Sequence, residues 1–294
     1  MNFLERHNIS PVLFSFISLI ILFTTYQIIG GALAYLFFQG QINEQTVNGI
    51  RWLTVFSQII FLLVPTILLT KLASTNIRDY LRFKSTSLIQ IILAMFGMFA
   101  LGQMLQVYLT VQDMIPLPES IQPFVESIKK SIEQLYKQVA GASNIQELFF
   151  VLFVIAVVPA FAEEFLFRGL VQRSLERGLT PLKGVIFTGI IFGAFHLNPF
   201  TFVPLAIIGI YLGFLVLKSG SLMVPIAAHF FNNAIAVFAI YLKYDEDALI
   251  TGKPSAMSPE ILLLSFVFFL LVFFIIMYYF IRASNLLTKI KSEV

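Results

Sequence analysis

The sequence predicts an all-α, polytopic membrane protein of about eight transmembrane helices around a buried polar site. Three observations carry this expectation. The 294 residues are 58% hydrophobic and only 12% charged, half the charge of an ordinary soluble domain at about 25%. Apolar runs near the ~20 residues that a helix needs to cross a bilayer recur along the chain. Finally, "VVPAFAEEFLFRGLVQRSL" at 157–175 sets Glu163, Glu164 and Arg168 inside one of those runs. There are no cysteines, which excludes disulfides, thiolate metal sites and cysteine nucleophiles. The expected surroundings are a lipid bilayer, and no feature calls for a nucleic-acid partner.

The apolar segments run over 11–38, 52–70, 87–111, 147–172, 181–197, 200–217, 221–242 and 260–281. Helices are expected because a backbone in lipid must satisfy its own hydrogen bonds. The first segment ends in a cleavage-like "ALA" at 32–34. Its leader "MNFLERHN" is not clearly basic and its apolar run continues past that point, so it reads as a retained span. The fifth and sixth segments are short and separated by "LNPFTF". Between the third and fourth, residues 112–146 form the one sizeable extramembrane stretch. There Val125, Ile128, Ile132, Leu135 and Val139 recur at spacings of three and four, an amphipathic helix. Such a helix lies on the outer membrane surface or covers a mouth in the protein. The chain thus divides into 1–111 (three spans), 112–146 (the amphipathic loop), 147–243 (four spans carrying the charges) and 244–294 (the last span and tail).

Orientation follows from counting. Of the 19 Lys and Arg, Arg168 is intramembrane, twelve fall on the side shared by both termini, and six on the other. Carboxylates run the other way, as in "YDEDALI" at 244–250. The positive-inside rule then places both termini in the cytoplasm, in a bacterial-type cell membrane.

Beyond loops and helix ends, the ionisable residues are Glu163, Glu164, Arg168, His196 and His229, with Asn232 and Asn233 close to the last. Charged side chains at mid-bilayer cost about 2.5–3.5 kcal/mol each on insertion scales, so they point to function. Glu164 and Arg168 are i and i+4 and face one another, a pair that can also be a simple staple between helices. Glu163 is turned about 100° away and lacks an obvious partner. Counting 1.5 Å per residue from the cytoplasmic side puts Glu163 at about 15 Å, His196 at about 20 Å, His229 at about 16 Å and Asn233 at about 22 Å. Four polar groups from three spans therefore share one layer. Gly189 with Gly193, and Gly209 with Gly213, have the small-xxx-small spacing that lets helices approach closely.

The missing motifs narrow the chemistry. There is no HExxH zinc helix, no serine site beside a histidine, and no aspartate pair within the spans. One glutamate, two histidines and an asparagine suit amide hydrolysis, since an apolar setting strengthens a carboxylate as a base toward water. Glu163 would take a proton from a water held with His196, and His229 and Asn233 would donate to the oxyanion. Alternatively, Glu163, His196 and His229 would ligate zinc and activate the same water. These residues alone leave both routes open.

"EEFLFR" at 163–168, "FGAFH" at 192–196 and "HFFNN" at 229–233 match EExxxR, FxxxH and HxxxN in that order on successive spans. In this the chain resembles the CAAX protease and bacteriocin-processing (CPBP, or Abi) family, which includes the type II CAAX prenyl endopeptidase. The resemblance covers about 147–240. It implies an eight-helix intramembrane peptidase with metal-free glutamate catalysis and no cofactor. Glu163 would be the general base, Glu164 and Arg168 its support, His196 a ligand of the water, and His229 with Asn233 the oxyanion site. The implied partner is a peptide or protein substrate in or at the membrane: a prenylated peptide, a bacteriocin or other precursor, or a membrane-protein segment. Two rival classes are a non-catalytic scaffold or bacteriocin-immunity protein and a proton-coupled transporter. The transporter would prefer broken helices, for which Pro159 and Pro225 are candidates, and matching halves, which the sequence lacks. Substrate, cleavage position and oligomeric state are not legible.

Overall fold

The computed structural model describes residues 2–242 and 258–293, with side chains described as far as Leu286. The acidic stretch 244–250, used in the orientation argument, lies outside the described residues. All regular structure among the described residues is helical. Among the described residues seven helices are long and apolar enough to cross a membrane: α1 Pro11–Phe38, α2 Val47–Ala73, α3 Leu88–Asp113, α5 Ile145–Gly178, α7 Phe202–Ser219, α8 Met223–Tyr241 and the start of α9, Pro259–Leu286. Between them lie the amphipathic α4, Gln122–Ala140, and a shorter apolar helix, α6, Pro181–Phe195. The eight apolar segments of the sequence are therefore eight helices, of which the fifth is short.

The shortness of α6 matters for the site. Its 15 residues rise about 22 Å at 1.5 Å each, less than the ~30 Å hydrocarbon core. It starts at a capped end, where Thr180 Oγ1 accepts from the Lys183 N–H and Pro181 opens the helix. It stops at His196, and Leu197 takes a left-handed φ of 53°. A helix end at membrane depth needs other partners for its carbonyls. The Gln27 side chain donates to the Phe195 carbonyl at 2.8 Å and His196 Nδ1 to that of Phe192 at 2.7 Å.

Four stretches of the spans are π-helical: 24–30 in α1, 58–63 in α2, and 153–157 and 165–171 in α5. The π turn over 153–157 lies just before Pro159, whose missing N–H leaves the Ile155 carbonyl to accept from Asn233 Nδ2 at 3.1 Å, and α5 continues past it. Pro225 falls in the first turn of α8, where a proline is tolerated. Neither proline therefore opens a helix as a transporter would require.

The glycine spacings do what small residues do in membrane helices. A Cβ on Gly209 would lie 2.8 Å from Gly189 Cα, and one on Gly189 would lie 2.6 Å from the Ile210 nitrogen. Helices α6 and α7 thus touch backbone to backbone. Gly209→Ala is expected to cost about 1–3 kcal/mol through overpacking, read as a lowered thermal midpoint in detergent. Gly102→Ala in α3, whose added Cβ would meet nothing within 4 Å, should be neutral or slightly stabilising. Equal midpoints for the two variants would refute the packing argument.

Helix α4 is tied to the bundle at two points. Near its end, the buried Arg51 of α2 donates to the Val139 carbonyl at 2.9 Å and pairs with Glu147 of α5 at 2.7 Å. Midway, Lys129 pairs with Asp113 and sits 5.2 Å from the Phe200 ring. Phe200 lies in the turn after His196, and its carbonyl accepts from Gln112 at 3.1 Å. Phe124 and Leu135 remain exposed, an apolar margin suited to a membrane surface.

Candidate active site

Helix α5 changes from α to π between Glu164 and Phe165, and its two glutamates have different surroundings. Glu164 and Arg168 are both fully buried, and Arg168 Nη1 donates to Glu164 Oε1 at 2.9 Å. Arg168 Nη2 reaches the carbonyl of Gly209 at 3.1 Å. The guanidinium also sits 4.6 Å from the centre of the Phe192 ring, a cation–π contact. The pair anticipated from spacing is present, but it has a third member. His229 Nδ1 lies 2.8 Å from the same Glu164 oxygen, so Glu164 bridges α5 to α8.

Glu163 is 14% exposed and its Oε2 is buried without a hydrogen-bond partner among the described residues. That oxygen faces two imidazoles, with His196 Nε2 at 3.9 Å and His229 Nε2 at 4.0 Å. The tautomers follow from the other ring nitrogens. A backbone carbonyl can only accept, so His196 Nδ1 carries the proton it gives to Phe192. The carboxylate of Glu164 likewise takes the proton of His229 Nδ1. Both Nε2 atoms are thereby aimed at Glu163. His196 is 31% exposed at its side chain and His229 only 6%, so the cluster opens on the His196 side.

Asn233 stands apart from this convergence. Its Nδ2 donates to the Ile155 carbonyl at 3.1 Å and its Oδ1 accepts from Asn232 at 3.2 Å. One amide proton remains for a further acceptor. The sequence reading missed the contribution of α1 and α2. Tyr26 stacks on Phe195 with centroids 6.4 Å apart, and Gln58 Nε2 donates to the Tyr26 hydroxyl at 3.3 Å. The signal was available as neutral amides and a phenol within apolar spans, but a search for ionisable groups passes over them.

The fold and its convergent buried charges define an all-helical integral membrane protein with an intramembrane polar site. Residues 145–235 match the family model described as Rce1-like, type II CAAX prenyl endopeptidase Rce1-like; over that segment the chain is similar to the CAAX protease (CPBP) family. No curated protein and no solved structure matches the chain significantly. The matched segment contains Glu163, Glu164, Arg168, His196, His229 and Asn233, and supports an intramembrane endopeptidase of the CAAX-protease type acting on membrane-associated substrates.

Proposed function

We propose that the protein hydrolyses a peptide bond of a membrane-associated or prenylated-type substrate, using a water activated by Glu163. One observation carries this reading: a buried carboxylate oxygen without a partner faces two imidazole nitrogens at 3.9 and 4.0 Å. These separations are too long for direct hydrogen bonds. A water about 2.8 Å from both ends of such a gap subtends roughly 90°, close to its own bond angle. Tetrahedral zinc with ligands at about 2.0–2.1 Å would bring ligand atoms to within about 3.4 Å of one another. Among the described residues no group of three or more His, Cys, Asp or Glu side chains is disposed to hold a metal ion. The geometry favours water.

The chemistry then balances as follows. Glu163 takes one proton of the water and His196 Nε2 accepts the other as a hydrogen bond, while the water oxygen bonds to the substrate carbonyl carbon. The oxyanion accepts hydrogen bonds from His229 and from the remaining amide proton of Asn233. Glu163 returns its proton to the nitrogen as the C–N bond breaks, leaving a carboxylic acid and an amine; the remaining water proton then passes from the acid to the amine, so that the products leave as a carboxylate and an ammonium. For His229 to donate from Nε2 while Nδ1 is held by Glu164, it must be the imidazolium. Glu163⁻, Glu164⁻, Arg168⁺ and His229⁺ then sum to zero, which suits a site at membrane depth. Glu164 is thus assigned to hold His229 in the donating state.

The first test is metal content of the purified protein together with peptide cleavage by wild type and Glu163→Gln. Metal-free cleavage lost in the variant is the expected result; stoichiometric zinc with chelator-sensitive cleavage would replace the water-only mechanism. We further propose a bacterial-type cell membrane with both termini cytoplasmic. Because the chain has no cysteine, single cysteines at Ser10 and Glu44 make a direct check. In intact cells an impermeant maleimide should label the second and spare the first. The opposite pattern would invert the topology.

A further inference from the structure

The first two helices lie outside the matched segment, yet they bring a polar pair to the candidate site. The α5 stretch Val158–Glu164 packs against the α2 stretch Gln58–Leu63, and Tyr26 stacks on Phe195, the residue before His196. Gln58 is 4% exposed, and its Oε1 is buried without a hydrogen-bond partner among the described residues. Its Nε2 donates to the Tyr26 hydroxyl, which leaves the phenolic proton free to donate onward. Both residues sit in π-helical stretches, a distortion that re-aims side chains and recurs at functional sites. The frame around them is fixed. Thr25 Oγ1 donates to the Phe61 carbonyl at 2.9 Å, and Gln27 holds the Phe195 carbonyl beside His196.

An orphan acceptor this deeply buried is costly unless something completes it. Here an unused acceptor and an unused donor are bonded neighbours on helices that pack against the stretch carrying Glu163 and against Phe195. That is the complement of a peptide unit, which offers one N–H and one C=O. We propose that Gln58 and Tyr26 form a subsite for the substrate main chain, Gln58 Oε1 accepting a substrate N–H and the Tyr26 hydroxyl donating to a substrate carbonyl. This rests on the peptidase reading and assigns part of substrate positioning to helices outside the catalytic motifs. Main-chain recognition does not depend on side-chain identity, so it would serve varied sequences near the scissile bond.

The probe is a dye-labelled peptide carrying a prenylated cysteine followed by three residues, and a series with each amide in turn N-methylated. Binding is read by fluorescence anisotropy and cleavage by chromatography. One methylated position should weaken binding to wild type about tenfold, the scale of one lost hydrogen bond. Gln58→Leu should bind the unmethylated peptide about tenfold more weakly and show no further loss on that methylation, the non-additivity of a direct contact. Tyr26→Phe, which keeps the ring on Phe195, should also bind about tenfold more weakly with an unchanged melting temperature. Gln58→Leu should melt close to wild type, since the lost bond from Nε2 to Tyr26 is offset by removal of the buried Oε1 that has no partner in the free protein. Additive losses, or lower melting with unaltered binding, would show a structural pair and overturn the subsite. Cleavage by Glu163→Gln would instead defeat the peptidase mechanism while leaving the binding results standing.

Discussion

Purified Glu163→Gln protein should melt as wild type does and cleave peptide about 10³–10⁴-fold more slowly, at the upper end of what a positioned general base contributes. The substitution keeps shape and volume and removes one negative charge. Glu163 Oε2 has no hydrogen-bond partner among the described residues, so no observed side-chain bond at that oxygen is broken. What goes is the proton acceptor for the water and one charge of the four that sum to zero. Binding of an uncleaved peptide should survive, because the groups assigned to hold the main chain are elsewhere. Cleavage retained within tenfold would remove Glu163 from the chemistry. A large drop in melting temperature would show that its role is mainly structural.

Arg168→Met should show the opposite division, with a large loss of stability as well as of activity. It leaves the fully buried Glu164 carboxylate facing His229 without the guanidinium 2.9 Å away, and breaking such a pair costs about 3–5 kcal/mol. It also removes the bond from Arg168 to the Gly209 carbonyl that ties α5 to α7. The double variant Glu164→Gln/Arg168→Met removes both charges and should recover much of the lost stability, since an apolar or neutral replacement of a buried pair is often well tolerated. Activity should stay low, because His229 would have lost the carboxylate that holds its second proton. Thermal melting and cleavage rates on the two variants separate a stapling role from a catalytic one. If the double variant recovers both properties, the pair only holds helices together.

Membrane character was legible in the sequence because hydrophobicity is local: a run of apolar residues spans lipid wherever it lies in the fold. Glu164 and Arg168 could be paired from their spacing because both lie within one helix. Glu163, His196 and His229 were legible as a set because intramembrane ionisable residues are few and their motifs keep a fixed order. Beyond that, the sequence carried less. The fifth segment was legible as short, but not that its helix, α6, ends at His196, where neighbouring side chains complete its last carbonyls.

By itself, then, the sequence determined the helical class, the positions of the apolar helices and which residues carry charge at membrane depth. Only the tertiary structure decided how those charges are divided between partners. Glu164 takes both Arg168 and His229, Glu163 is left facing two Nε2 atoms, and Asn233 bonds to the backbone at Ile155. Tyr26 and Gln58 join the site from helices more than a hundred residues away in sequence. The physical reason is that burial preference is a property of each residue, whereas a hydrogen-bond partner across a helix interface depends on rotation and depth. Here those depend on the Gly189–Gly209 contact, whose small-residue spacing was legible but whose pairing was not, and on the π turns, which leave no periodic signature in the chain.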